Sequence, residues 1–306
     1  MAERPSPLRR ILPGLLTAVA LAALGGFLAG NHRHIAEKYV LNPLAFFVIV
    51  GLVLAILALR GLANRTLFKG MGVEASVSDW FRLVTVSSFT NYLPLSAGLA
   101  VKAFILNRVY KTPYRLFAVG QTSLLIIFMS TNGAVGLATL SLEFPGQVFG
   151  IIGAGFAVMT GSAALLFLPD AVARLTEGRK LPGIGRRMSA IRSRWGAVAA
   201  LQVFILLMTA AMLKISFDMG PAEISFAACI VFTAAGMLTR VVSITPGGIG
   251  IRELVVGGLA YLVGFGVRDA VIASALVRIA EVAALFTLGS LLTYGISRRA
   301  VSPSDE

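Results

Sequence analysis

Long apolar runs separated by short polar or basic stretches dominate the pattern along the chain. Seven runs approach or exceed the roughly 20 residues that a helix needs to cross a bilayer. Two more apolar stretches are interrupted or short. The long runs lie at about 11–30, 41–59, 116–140, 148–168, 197–213, 224–242 and 270–297, and the two weaker ones at 83–106 and 254–266. We predict an all-α, polytopic integral membrane bundle of about seven or eight spans, with two broken or re-entrant segments, forming one transmembrane domain over residues 1–306.

The composition agrees with a membrane bundle. Hydrophobic residues make up 57% of the 306 positions and charged residues only 13%, whereas about 25% of the residues of a soluble domain are charged. The single cysteine, Cys229, excludes a disulfide within one chain. His32 and His34 are two loop histidines, too few to indicate a metal site, so we expect none. We also expect no cofactor, because the glycine-rich run near residue 248 lacks the lysine of a nucleotide-binding loop.

The excess of positive charge, +13 in total, is concentrated in three predicted loops at 60–82, 107–115 and 169–196. Short loops rich in lysine and arginine stay in the cytoplasm. We therefore predict that these loops and both termini lie inside, and that short loops near residues 35, 144 and 218 face outside. The same asymmetry explains the basic residues without nucleic acid, and no nucleic-acid-binding module accompanies them.

A proline and glycine break interrupts the apolar pattern at Thr245–Glu253, which reads TPGGIGIRE. Backbone at membrane depth leaves the helix only where protein or a wet cavity satisfies its polar groups. Broken segments of this kind build substrate sites in transporters. If the segment 242–266 re-entered from the cytoplasm, the C-terminus would lie outside, against the charge rule. Two alternatives stay open, a broken crossing or re-entry from the opposite face.

A second break resembles the first. Tyr92–Leu99 (YLPLSAGL) and Ile244–Ile251 (ITPGGIGI) each place a proline four residues before a glycine, and the two lie 152 residues apart. A basic residue follows each break. We predict an internal repeat with halves at 41–168 and 197–299, separated by the cytoplasmic basic loop 169–196, because interrupted segments at matching positions of two repeats point to a binding site between them.

The candidate binding residues flank these breaks. A helix that begins after Gly250 presents unpaired N–H groups to an anion, and Arg252 adds a two-pronged clamp; the alternative is a packing kink with an arginine that reaches the interface. Arg278 and Glu281 share one helix face and either form a structural ion pair or line a polar path. The candidates are Pro94, Gly98, Lys102, Arg240, Pro246, Gly247, Gly248, Gly250, Arg252, Glu253, Arg278 and Glu281.

The segments Pro94–Leu106 (PLSAGLAVKAFIL) and Pro246–Glu253 (PGGIGIRE), with the order of spans around them, resemble the transmembrane, flippase-like region of the lysylphosphatidylglycerol synthase family. The resemblance covers roughly residues 41–299. It implies a bacterial inner-membrane protein that moves or modifies a membrane lipid. Family members commonly place an acidic residue before the basic residue of the first motif, whereas this chain has none before Lys102. It also lacks the soluble aminoacyl-transferase domain, so we do not expect lysine transfer by this chain alone.

Two functional hypotheses follow. The first is a flippase-like transporter that moves an anionic, glycosylated or hopanoid-type lipid between leaflets. The second is a membrane-embedded enzyme, or a subunit of one, that modifies a polyprenyl, hopanoid or phospholipid, with Glu253 and Glu281 as the buried acids. The sequence favours the non-enzymatic reading, because it has no soluble catalytic domain and no ATP site. The expected partner is a membrane lipid with an anionic headgroup; lipid-biosynthesis proteins or further copies of the chain are additional candidates.

Overall fold

The computed structural model describes residues 25–40, 42–92, 97–144, 193–239 and 250–301, with positions 22 and 248. These residues contain helices and no strand. In chain order the helices are α1 (His32–Lys38), α2 (Pro43–Lys69), α3 (Val77–Thr90), α4 (Gly98–Tyr110), α5 (Tyr114–Glu143), α6 (Trp195–Asp218), α7 (Phe226–Leu238), α8 (Ile251–Leu262) and α9 (Val267–Val301). Helices α2, α5, α6 and α9 are long and apolar enough to cross a membrane. The predicted polytopic helical membrane fold is confirmed, while the predicted span 148–168 and nearly all of the loop 169–196 lie outside the described residues.

Local sequence signals set where several helices begin. The side chain of Asn42 accepts the N–H of Leu44 at 2.9 Å, one residue before Pro43 opens α2. Ser76 and Ser225 cap α3 and α7 in the same way, at 3.1 Å and 3.0 Å. Such caps satisfy N–H groups that the first helical turn leaves without a partner.

Helix α2 extends ten residues beyond the apolar run that predicted it. The sequence placed Arg60 and Arg65 in a basic loop over 60–82, but both lie within α2, and only residues 70–76 connect it to α3. The last turns of α2 remain helical because Leu67 and Phe68 are fully buried in an apolar cluster with Trp80. The apolar run ended at the first charged residue, Arg60, whereas the helix itself ends at Lys69.

Helices α2 and α6 pack antiparallel, which defines the two ends of the bundle. The N–H of Val40, just before α2, donates to the carbonyl of Met219, just after α6, at 2.8 Å. At the other end, Nη1 of Arg194 donates to the carbonyl of Thr66 at 3.3 Å. We refer to these as the Tyr39 end and the Lys69 end.

Helices α5 and α9 reach the Tyr39 end in opposite directions. The Ser225 hydroxyl donates to the carboxylate of Glu143, and this contact shows that α5 finishes at the Tyr39 end. The Tyr39 hydroxyl donates to Oδ1 of Asp269 at 3.1 Å, and Nε2 of His34 lies 3.0 Å from the same oxygen. These contacts show that α9 begins at the Tyr39 end. Burial, and then the nearby Asp269 charge, raise the pKa of the Tyr39 hydroxyl above its ordinary value, so it keeps its proton and remains a donor.

The four short helices form two re-entrant hairpins. Helix α3 starts at the Lys69 end and leads to the first break, and helix α4 runs from that break back to the Lys69 end. In the same way, α7 starts at the Tyr39 end and α8 returns to it after the second break. These two helices pack against each other. The alternative that the sequence left open for residues 242–266 is therefore resolved as re-entry from the face opposite to the first hairpin.

The order and lengths of the helices recur. Helices α2 to α5 contain 27, 14, 13 and 30 residues, and helices α6 to α9 contain 24, 13, 12 and 35. Corresponding helices begin 149 to 153 residues apart. Each first hairpin helix packs against the last long helix of the other set, α3 on α9 and α7 on α5. Because α2 and α6 run in opposite directions, the second set is inverted relative to the first.

Candidate functional site

The described candidate residues fall into two neighbouring polar groups inside the bundle. Gly98 and Lys102 lie on α4, near the first break. Gly248, Gly250, Arg252, Glu253, Arg278 and Glu281 lie at the second break and on α9. The candidates Pro94, Arg240, Pro246 and Gly247 lie outside the described residues.

Glycine is required where α8 begins. Gly248 and Gly250 have φ values of +68° and +86°, a backbone region that side chains disfavour. The N–H of Gly250 donates to Oε2 of Glu253 at 2.8 Å. The sequence analysis predicted that a bound anion accepts the free N–H groups at this helix start. In the structure the carboxylate of Glu253 lies there, and the partial positive charge of the helix N-terminus stabilises that carboxylate.

Two arginines and two glutamates form a buried network of ion pairs, which we call the charge cluster. Nη1 of Arg252 lies 3.4 Å from each carboxylate oxygen of Glu281. Arg278 places Nε 3.4 Å from Oε1 of Glu253 and Nη1 3.3 Å from Oε2 of Glu281. The four side chains are 3–11% exposed. The formal charges of the cluster cancel, which lowers the large cost of charge at membrane depth.

Arg278 indicates how far along the membrane-spanning helix α9 the charge cluster lies. Arg278 is the twelfth residue of α9, roughly 16 Å along the helix at about 1.5 Å per residue. The hydrocarbon core is about 30 Å thick. Nη1 of Arg278 also donates to the hydroxyl of Tyr92 at 3.0 Å. Tyr92 follows α3 of the first hairpin, and Glu253 lies on α8 of the second, so Arg278 on α9 contacts both re-entrant hairpins.

Helix α4 begins in very close contact with α3. The N–H of Gly98 donates to Oδ1 of Asn91 at 3.1 Å, and the Ser87 hydroxyl donates to the carbonyl of Gly98 at 2.9 Å. A Cβ at Gly98 would lie 2.0 Å from the carbonyl oxygen of Ser87. These polar groups hold the two arms of the first hairpin together.

Lys102 is 5% exposed, and amide groups hold its ammonium. Nζ donates to Oδ1 of Asn64 and, at 3.0 Å, to Oε1 of Gln121. The same nitrogen lies 5.9 Å and 6.0 Å from the ring centroids of Trp80 and Phe68, within the range of attraction between a cation and an aromatic face. These contacts leave its positive charge without a carboxylate to neutralise it among the described residues.

A cavity of about 200 Å³ lies beside Lys102, and we call it the lysine cavity. Polar side chains from five helices line it, and none of its described lining residues is a carboxylate. The polar lining residues are Arg60, Asn64, Ser87, Ser88, Lys102, Gln121 and Gln202. Within the described part of the chain, no group of three or more His, Cys, Asp or Glu side chains is placed to hold a metal ion.

Sequence reasoning missed Arg60 as a site residue. It is half-buried on α2, lines the lysine cavity, and lies close enough to Glu281 and Arg252 to interact with their charges. Arg60 therefore stands between the cavity and the charge cluster. The spacing of Arg60 and Asn64 could have indicated this role. If α2 continues past residue 60, residues four apart lie on the same helix face, so the guanidinium and the amide lie side by side.

A protein-family model for the lysylphosphatidylglycerol synthase TM region matches residues 10–289 of the chain. The match spans both hairpins, the lysine cavity and the charge cluster. Neither a curated protein nor a solved structure matches the chain.

Proposed function

The chain belongs to the lysylphosphatidylglycerol synthase TM region family, a group of membrane proteins related to lipids, and on that basis we propose that it moves a lipid with an anionic headgroup between the two leaflets. One structural observation supports this most strongly. Two hairpins from opposite ends of the bundle reach a polar interior, where Arg278 on α9 contacts Tyr92 of the first hairpin and Glu253 of the second. Paired re-entrant segments of inverted repeats surround the substrate in several transporter folds.

The charges of this interior favour an anion. The charge cluster is formally neutral, whereas Arg60 and Lys102 add positive charge next to it. A headgroup in this region exchanges water for fixed donors while its acyl chains stay in hydrocarbon. Large apolar side chains remain exposed on the outside of the long helices, for example Phe47 on α2 and Phe204 on α6, at 69% and 57%, as a lipid-facing surface requires.

In this proposal the candidate residues act as one site. Lys102 attracts the headgroup, and Arg252 with its partner Glu281 forms the opposite wall. The candidates Pro94, Arg240, Pro246 and Gly247 belong to the proposal by their place in the sequence, next to the two breaks.

A deletion strain tests transport against synthesis. We expect its total lipid inventory to be unchanged and one anionic lipid to be redistributed between leaflets, measured by lipid extraction and by labelling with a reagent that reaches one leaflet only. Complementation with Lys102→Ala or Arg252→Ala should restore transport at least about tenfold less well than the parent, since each removes a charge-assisted contact. The loss in the double variant should be smaller than the product of the two single losses, because residues that serve one site do not act independently.

Complementation with Lys69→Ala, an exposed lysine at the end of α2, is the matched control and should restore transport fully. A lipid species that disappears from the deletion strain would instead support the membrane-embedded enzyme. Normal sidedness of every lipid class would overturn the transport proposal.

Orientation follows from the charge of the two ends. In the proposed topology the Lys69 end and both termini face the cytoplasm of a bacterial inner membrane, because the densest Lys/Arg run connects to that end. In a Cys229→Ser background, Lys180→Cys should resist a membrane-impermeant maleimide applied to intact cells. Glu223→Cys, an exposed position near the Tyr39 end, should react quickly. The reverse labelling pattern would invert the topology.

A further inference from the structure

The lysine cavity is lined mainly by hydrogen-bond donors. A lysine ammonium has three N–H groups, and the acceptors on Asn64 and Gln121 take two of those on Lys102. The third is available to a ligand. The Arg60 side chain donates no hydrogen bond to another described residue, and the same holds for the amide N–H groups of Gln121 and Gln202. A lining with this excess of donors matches a ligand with an excess of acceptors.

The described residues of the second half of the chain do not repeat this lining. By the offsets between helix starts, Arg60, Asn64 and Gln121 correspond to Met212, Ser216 and Ser274. Those three side chains are fully buried, and the Ser216 hydroxyl donates to the carbonyl of Ala273. Among the described residues, the cationic cavity therefore lies in the first half and the neutral charge cluster in the second. This asymmetry distinguishes a binding cavity from a general property of the fold.

The lysine cavity also reaches the outside of the bundle. Its wall includes Leu125 on α5, which is 41% exposed, and Phe128 one turn further on. An opening bordered by apolar side chains lets a polar headgroup enter while its chains stay outside. The volume of about 200 Å³ far exceeds the roughly 10–15 Å³ that one water molecule needs. These features favour a lipid headgroup over a small soluble anion.

We infer that the lysine cavity binds the phosphate of a phospholipid with an uncharged polyol headgroup, and that it rejects headgroups that carry an amine. The phosphate accepts hydrogen bonds from Arg60 and Lys102, and the polyol hydroxyls meet Gln121 and Gln202. An ammonium would lie next to two cations, with no carboxylate among the described residues of the cavity wall. The inference rests on the proposed function and specifies its substrate: an acidic phospholipid without an amino-acid ester.

Binding to defined lipids tests the inference. The purified protein is placed in phosphatidylcholine nanodiscs with a small fraction of a spin-labelled probe, and immobilised probe is measured by electron paramagnetic resonance. The probes are phosphatidylglycerol, its lysyl ester and phosphatidylethanolamine. We expect phosphatidylglycerol to bind at least about tenfold more tightly than the other two, because their ammonium groups would lie next to Arg60 and Lys102 and like charges repel each other. Equal binding of phosphatidylglycerol and its lysyl ester would overturn the inference.

Variants of the cavity locate the binding. Arg60→Gln and Lys102→Gln should each weaken phosphatidylglycerol binding about tenfold and reduce the discrimination against the lysyl ester. Lys102→Arg keeps the charge and should keep the discrimination. The matched controls are Arg108→Gln and Lys69→Gln, both exposed, and should bind as the parent does. Thermal unfolding in detergent identifies any variant that is misfolded. If the glutamine variants are misfolded, the charge-preserving Lys102→Arg variant tests the inference instead. A Lys102→Arg protein that folds normally but no longer discriminates against the lysyl ester would contradict the inference.

The binding and transport experiments fail separately. Selective binding without movement between leaflets would leave the cavity assigned and overturn the proposed function. Movement of an anionic lipid with unselective binding, or with selectivity unchanged in Arg60→Gln and Lys102→Gln, would leave the function and overturn the inference.

Discussion

Replacing Arg278 by alanine is expected to destabilise the protein more than any change on its surface. Arg278 contacts Glu253, Glu281 and Tyr92, and its side chain is 5% exposed. Its loss leaves more negative than positive charge in the charge cluster at membrane depth. Breaking a buried ion pair from one side costs about 3–5 kcal/mol. We expect a large drop in the yield of folded protein and in the thermal unfolding temperature, measured in detergent.

Arg268→Ala is the matched control, because Arg268 lies on the same helix and is exposed; its unfolding temperature should stay close to that of the parent. Adding Glu281→Gln to Arg278→Ala should recover part of the loss, because it removes an uncompensated carboxylate, and the two changes should therefore not add. Similar, negligible effects of Arg278→Ala and Arg268→Ala would show that the charge cluster contributes nothing to the fold.

Gly98→Ala is expected to open the first hairpin. The added Cβ would lie 2.0 Å from the Ser87 carbonyl oxygen and 2.4 Å from Oδ1 of Asn91, so α4 must move away from α3. Forced overpacking costs about 1–3 kcal/mol, and the shift also disturbs Lys102 one turn further on. Transport should fall more steeply than stability, because stability reports only the strain whereas transport also reports the displaced lysine.

The control for this change is Gly258→Ala in the second hairpin, where nothing lies within 4 Å of an added Cβ. Alanine is the better helix former by about 0.5–1 kcal/mol, so this variant should be as stable as the parent or slightly more so. A Gly98→Ala protein that matches Gly258→Ala in unfolding temperature and transport would show that the close contact between α3 and α4 is not required.

Hydropathy and turn residues were sufficient to predict much of the fold. The runs at 41–59, 116–140, 197–213 and 270–297 each gave a long helix. Proline and glycine located both hairpin breaks. Helix ends were harder, since the last ten residues of α2 are stabilised by packing against α3, a contact between parts of the chain that no local pattern records.

The candidate site shows where local reasoning ends. Sequence spacing placed Arg278 and Glu281 on one face, because they are three residues apart on a helix. It could not predict that Arg278 also contacts Glu253, because that contact depends on how α8 lies against α9. Arg60 was assigned to a loop because it is the first charge after an apolar run. Its role depends on α4 and α9 reaching it from distant positions in the sequence.

The shortness of the hairpin helices bears on the order in which the protein is assembled during synthesis. Helices α3, α4, α7 and α8 have 12 to 14 residues, about 18–21 Å, so none can cross a core of about 30 Å alone. Lys102, Arg252 and Glu253 make insertion of α4 and α8 into lipid still more costly. The long helices therefore enter the bilayer first, and the hairpins fold into the frame that those helices provide, in a second step that follows insertion.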